Sequence, residues 1–179
     1  AYHLFRAGFL ILATYCFFLS LKFLPIADAL AIFFVQPLIV VVLSALVLEE
    51  KVGPRRWAAV FVGFVGTMII IRPGLGSLNP GTLFALAAGV FLAIYFVMTR
   101  RISGKAKAIV TTFQTTAIGM VVLSPLMPIV WVTPSPQQWV LFAGLGFVAT
   151  MGHFFIVRAY DYAEASLLAP FAYTEMIMA

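Results

Sequence analysis

The chain carries very little charge. Asp, Glu, Lys and Arg make up only 9% of its 179 residues, whereas soluble domains carry about 25%. Hydrophobic residues account for 64% of the sequence, and the mean hydropathy is +1.11. This composition excludes a water-soluble fold and predicts an all-α, polytopic bundle of transmembrane helices.

Residue types that commonly carry catalytic chemistry are also scarce. Cys16 is the single cysteine, which excludes an intrachain disulfide framework and a cysteine-based zinc site. The sequence has no Asp-x-x-x-Asp or His-x-x-x-His spacing and no glycine-rich phosphate loop. We therefore expect neither enzymatic activity nor a metal or other cofactor. An integral-membrane enzyme and a non-transporting assembly protein remain as alternatives.

The net charge of +5 lies in short connectors between apolar runs rather than on one face. Nine basic residues, Arg6 among them, fall in one alternating set of connectors, and two fall in the other set. The positive-inside rule assigns the set with nine basic residues to the cytosol. This set includes the loops at 50–56 and 100–107. Because this charge has a topological explanation, we expect no nucleic-acid partner.

The apolar runs predict seven helices, at about 4–23, 26–49, 55–72, 80–100, 108–132, 136–158 and from about 163 onward. Asn79-Pro80 and Ser135-Pro136 have the composition of a helix N-cap followed by proline at the first helical position. The connectors are short, so neighbouring helices are expected to be antiparallel.

Residues 29–48 form the central uncharged run, with Gln36 and Pro37 near its middle. Its length is enough to cross ~30 Å of hydrocarbon as a helix. Pro37 has no backbone N–H, so it frees the carbonyl of Phe33 and predicts a kink. A kink at this depth can shape a cavity, and it is equally compatible with simple packing.

Residues 20–37 and 159–175 are weakly similar, which indicates an internal repeat. Five predicted helices separate the two copies, and an odd number inverts the second copy relative to the first. Inverted repeats are typical of secondary transporters.

Residues 17–74 resemble the EamA domain of the drug/metabolite transporter superfamily. The resemblance rests on the segment from Leu24 to Ala29, on Pro37, on the glutamates that end the same helix, and on Arg72-Pro73-Gly74. It implies a ten-helix fold of two inverted five-helix repeats, of which this chain covers family helices three to nine. Residues 1–74 then end the first repeat, and residues 78–179 form a truncated second repeat.

The resemblance implies a secondary or facilitative transporter that moves a small metabolite across the bacterial inner membrane by alternating access. Cofactors and vitamins such as riboflavin or S-adenosylmethionine are the first candidates, and export of amino acids or related metabolites is the alternative. We expect a small-molecule substrate and surrounding lipid as partners, and a homodimer is left open.

Candidate substrate-binding residues combine polar groups within apolar runs and aromatic side chains. His153 and Glu175 are the ionisable groups deepest in apolar runs, and they could bind a substrate or relay a proton. Aromatic walls suit a planar ligand, although in a chain with 18 Phe ordinary packing is the better explanation. The full set is Tyr15, Phe18, Gln36, Pro37, Tyr95, Gln114, His153, Tyr173 and Glu175. Glu49 and Glu50, followed by Arg55 and Arg56, predict a structural gate or clamp at the cytosolic face.

Overall fold

The computed structural model describes residues 2–71 and 79–174. These residues form helices joined by short connectors, and this confirms the predicted all-α bundle. Two 3-10 segments of the described residues are Ser124–Leu126 and Ala169–Thr174. The α-helices are α1 (Tyr2–Ser20), α2 (Ile26–Phe33), α3 (Gln36–Val47), α4 (Pro54–Ile71), α5 (Pro80–Ile102), α6 (Ala108–Leu123), α7 (Met127–Val130), α8 (Pro136–Tyr162) and α9 (Ala165–Leu168).

Five membrane-capable helical stretches occur within the described residues. By length and hydropathy they are Tyr2–Ser20, Ile26–Val47, Pro80–Ile102, Ala108–Ile129 and Pro136–Tyr162. Each coincides with one of the predicted runs. A chain with several such helices is a multi-pass integral membrane protein.

Prolines break two of the predicted helices. The second predicted helix is divided into α2 and α3, because Pro37 has no N–H for the carbonyl of Phe33. The amide of Val35 instead bonds the carbonyl of Ile32 at 3.1 Å, and that of Leu38 bonds Val35 at 3.1 Å. In the fifth predicted helix, Pro125 lies in the 3-10 segment that separates α6 from α7. The predicted kink at Pro37 is therefore present.

Two helices begin where their capping residues predict. The side chain of Asn79 accepts a hydrogen bond from the amide of Gly81 at 2.9 Å, at the start of α5. Ser135 and Gln138 form a reciprocal capping box at the start of α8, and Pro136 occupies the first helical position. Local sequence therefore determines where α5 and α8 begin.

Helix α5 lies at the centre of the bundle and packs against α1, α2, α3 and α8. Small residues let its neighbours approach closely, since Ala85, Ala88, Gly89 and Ala93 are all buried. The main apolar core joins α3 and α5 to the end of α8, to α9 and to the 3-10 segment after it. Its buried residues are Val40, Val41, Ala93, Val97, Tyr160, Ala165 and Ala169.

Candidate functional site

A cavity of about 640 Å³ lies beside the break between α2 and α3. Its walls come from this break, from α5, from α8, and from α9 with the 3-10 segment after it. Six aromatic rings line it: Phe33, Phe34, Phe96, Phe155, Tyr160 and Phe171. The volume lies within the range of about 300–1,000 Å³ that is usual for small-molecule sites.

Gln36 supplies an amide to this largely apolar cavity. It begins α3 directly after the break, and only 4% of its surface is exposed. Within residues 2–71 and 79–174, its side chain forms no hydrogen bond. Its amide group is therefore available to bind a ligand in the cavity.

Pro37 lines a different, smaller cavity of about 440 Å³ between α3, α4 and the last 3-10 segment. Tyr173 lines the same cavity, and its hydroxyl donates a hydrogen bond to the carbonyl of Phe34 at 3.3 Å. That carbonyl is available because the amide of Leu38 bonds Val35 instead. Gln36 and Pro37 are adjacent in sequence, yet they contribute to two different spaces.

Arg6 forms the centre of a buried polar cluster. Its guanidinium donates hydrogen bonds to the Tyr95 hydroxyl at 3.2 Å, to the Thr99 hydroxyl at 3.1 Å and to the Thr111 carbonyl at 2.9 Å. It also donates to the hydroxyl of Thr115. Arg6 has no exposed surface. The position of Arg6 at the start of the first predicted helix predicts an interfacial charge, whereas its side chain is inside the bundle.

Two predicted site residues meet in this cluster. The hydroxyl of Tyr95 lies 2.8 Å from Nε2 of His153. The guanidinium carbon of Arg6 lies 5.3 Å from the centroid of the Tyr95 ring. The structure therefore joins α1, α5 and α8 through Arg6, Tyr95 and His153. The available sequence signal for Arg6 was its place one turn inside an otherwise apolar helix.

The other predicted residues lie elsewhere. Tyr15 and Phe18 are each 64% exposed and line neither of the two cavities described above. Gln114 lies on α6, and its buried Oε1 atom has no hydrogen-bond partner among the described residues. Glu175 lies outside the described residues. Substrate-binding roles for these four residues, as for the other five, stay predictions.

A clasp of charged and polar groups holds one end of the bundle together; we define it as Glu50, Arg56, Arg100, Glu164 and Ser166. The Glu50 carboxylate accepts hydrogen bonds from the amides of Ala165 at 2.9 Å and Ser166 at 3.0 Å. Arg100 lies 3.4 Å from the same carboxylate. Arg56 pairs with Glu164 at 2.7 Å and donates to the Ser166 hydroxyl at 2.6 Å.

The backbone of Glu49 is part of the turn that positions Glu50 in the clasp. Glu49 has φ of 57°, in the left-handed region that non-glycine residues seldom adopt. Burial raises the pKa of Glu50, but hydrogen bonds from Ser166, Ala165 and Arg100 outweigh burial. The net pKa of Glu50 is therefore below the ordinary value of 4.5.

The helical spans define the class of protein as a multi-pass membrane protein, with a cavity beside a broken helix. The EamA-like transporter family matches residues 1–72 and 79–179, and the chain belongs to that family. No solved structure matches it significantly.

Curated relatives include both uptake proteins and an exporter. The chain is 26% identical to the S-adenosylmethionine uptake transporter of Rickettsia felis, over 98% of this chain and 60% of the relative. It is 28% identical to the riboflavin transporter of Vibrio cholerae, over 98% and 59%. It is 27% identical to the Pseudopaline exporter CntI of Pseudomonas aeruginosa, over 90% and 58%. The chain thus spans about six tenths of the length of these relatives.

Proposed function

We propose that the protein to which this chain belongs is a secondary transporter that carries a small metabolite across the bacterial inner membrane, without enzymatic chemistry. The observation that carries the proposal is the cavity of about 640 Å³ at the α2–α3 break, with the buried amide of Gln36 in its wall. An interrupted helix beside a cavity at membrane depth is a recurring substrate site in transporters.

The way the two proposed halves of the chain meet supports alternating access. The cavity is bounded by α2 and α3 on one side and by α5, α8 and α9 on the other. The clasp joins the same halves at one end, because Glu50 and Arg56 bind the residues that begin α9. Breaking the clasp would open the cavity toward that end. The division into two inverted repeats, at residues 1–74 and 78–179, is part of this proposal.

The cavity favours a substrate that has a flat ring system and at least one polar group. Aromatic walls offer stacking surfaces, and Gln36 offers one donor group and one acceptor. S-adenosylmethionine and riboflavin both have fused heteroaromatic rings, and relatives are named for their transport. These two compounds are therefore the first candidates, with the direction of transport to be measured.

Counterflow in proteoliposomes tests the proposal with the full-length protein. Labelled S-adenosylmethionine, riboflavin and several amino acids form the panel. We expect one compound to accumulate, and we expect Gln36→Leu to reduce its accumulation about tenfold or more, since it removes a hydrogen-bonding amide. Gln137→Leu is the matched control, because Gln137 is exposed in the first turn of α8. Equal accumulation by both variants would refute a substrate contact at Gln36.

A further inference from the structure

We infer that Arg6 binds an anionic group, a carboxylate or a phosphate, of the transported metabolite; this inference rests on the proposed transport function. The anionic subsite consists of Arg6 with the hydroxyls of Tyr95, Thr99 and Thr115 around it. It lies beside the main cavity and is a different place from the Gln36 amide.

The charge of Arg6 has no opposite charge beside it in the described part of the chain. A guanidinium remains protonated in proteins, so burial does not remove its charge. All four side-chain hydrogen bonds of Arg6 go to neutral oxygens. The five acidic residues in the described ranges lie at or near helix ends and form no ion pair with it: Asp28, Glu49, Glu50, Asp161 and Glu164.

One donor of Arg6 is still unused. Its Nε atom is buried and has no hydrogen-bond partner among the described residues. The five N–H groups of arginine form a planar fork that matches the oxygens of carboxylate and phosphate. A buried charged group that has lost its water and retains an unused donor is a site where an anionic ligand is favourable.

Other buried polar atoms without a hydrogen-bond partner lie on α1 and α6. The buried side-chain atoms without a partner in the described ranges are Nδ1 of His3, Nε of Arg6, Oγ1 of Thr112 and Oε1 of Gln114. All four belong to α1 or α6, which pack against each other. Native interiors leave few polar atoms unpaired, so unpaired atoms on two packed helices indicate room for polar partners there.

Two members of the cluster, Tyr95 and His153, lie next to residues that line the main cavity. The rings of Tyr95 and Phe96 lie 5.5 Å apart between centroids, and Phe96 lines the cavity. His153 precedes Ile156 by one helical turn on α8, and Ile156 also lines the cavity. A metabolite with its ring system in the cavity would therefore have its charged group within reach of this cluster when the bundle opens.

Matched ligand pairs test the inference on the unmodified full-length protein. Thermal unfolding in detergent is measured with S-adenosylmethionine against decarboxylated S-adenosylmethionine, and with methionine against 3-(methylthio)propylamine. Flavin mononucleotide against riboflavin forms the phosphate arm. In at least one pair, we expect the member that carries the carboxylate or phosphate, here called the anionic member, to raise the unfolding temperature. We expect the member without that group to leave the unfolding temperature unchanged. Equal stabilisation by both members, or no stabilisation by any anionic member, would overturn the inference.

Variants then assign the anion to Arg6. For the anionic compound that binds, Arg6→Lys is expected to raise KM about 10- to 100-fold, the loss typical of a hydrogen bond to a charged group. KM for the matched compound that lacks this group, or for another transported compound without a carboxylate or phosphate, is expected to stay unchanged. Suppose that no anionic compound binds, and that wild type and Arg6→Lys transport a neutral metabolite equally. This outcome would leave the transport function supported and would refute the anionic subsite. Glu175 would then be the first acid in this chain to test as the partner of Arg6.

Discussion

A change of Gly89 to alanine tests how the α2–α3 break is held against α5. A Cβ atom at Gly89 would lie 2.9 Å from the carbonyl oxygen of Phe33 and 2.9 Å from Cγ1 of Val35. The Phe33 oxygen belongs to the backbone, so the contact can be relieved only if the helix break moves away from α5. The position of Gln36, directly after the break, would move with it.

The size of the effect can be worked out by comparison with another glycine. Overpacking of this kind costs about 1–3 kcal/mol, while alanine gains about 1 kcal/mol over glycine in a helix interior. Gly144→Ala in α8 has the same propensity gain and no atom within 4 Å of the new Cβ. Gly89→Ala is therefore expected to be less stable than Gly144→Ala by about 1–3 kcal/mol, the cost of the contact alone.

Reversible unfolding of the two variants in detergent, followed by circular dichroism, measures this difference. Counterflow with the transported compound should also decrease in Gly89→Ala and stay at the wild-type level in Gly144→Ala. Equal stability and equal transport of the two variants would refute the close approach of the break to α5.

Two further predictions concern the clasp and the orientation. Because the folded-state pKa of Glu50 is depressed, its stabilising contribution is fully present above about pH 4.5 and is lost as the pH falls through the lowered pKa. In Glu50→Gln, unfolding temperatures measured over this window should lose that part of the pH dependence, and an unchanged profile would contradict it. For orientation, a membrane-impermeant thiol reagent should label a cysteine at Ser135 and not one at Gly104, in a Cys16→Ala background. The reverse labelling would invert the assigned sidedness.

Features that depend on local backbone chemistry could be predicted from the sequence. Pro37 interrupts its helix whatever surrounds it, because proline cannot donate to the carbonyl four residues before it. Asn79 and Ser135 mark helix starts for the same local reason. The family resemblance added the transporter class, which composition alone could not supply.

Features that depend on which helix face is buried were missed. Helix α1 is apolar nearly all round, so its sequence does not reveal the side that packs on α5. Tyr15 and Phe18 lie largely exposed, while Arg6 lies inside. A charge near the start of a helix, such as Arg6, predicts an interfacial residue. Only the packing of α5 and α6 around Arg6 shows that it is buried. Gln36 and Pro37 were predicted together, yet adjacent helical positions are rotated by about 100° and contribute to different cavities.

The central claim is that the cavity beside the α2–α3 break lies on the substrate path. Leu92→Trp places a bulky ring on the α5 wall of this cavity, and Leu141→Trp makes the same change on the exposed surface of α8. Counterflow of the identified compound, measured with full-length protein at equal amounts in the liposomes, compares the two variants. We expect Leu92→Trp to abolish accumulation and Leu141→Trp to retain it. Wild-type accumulation by a folded Leu92→Trp protein would contradict the central claim.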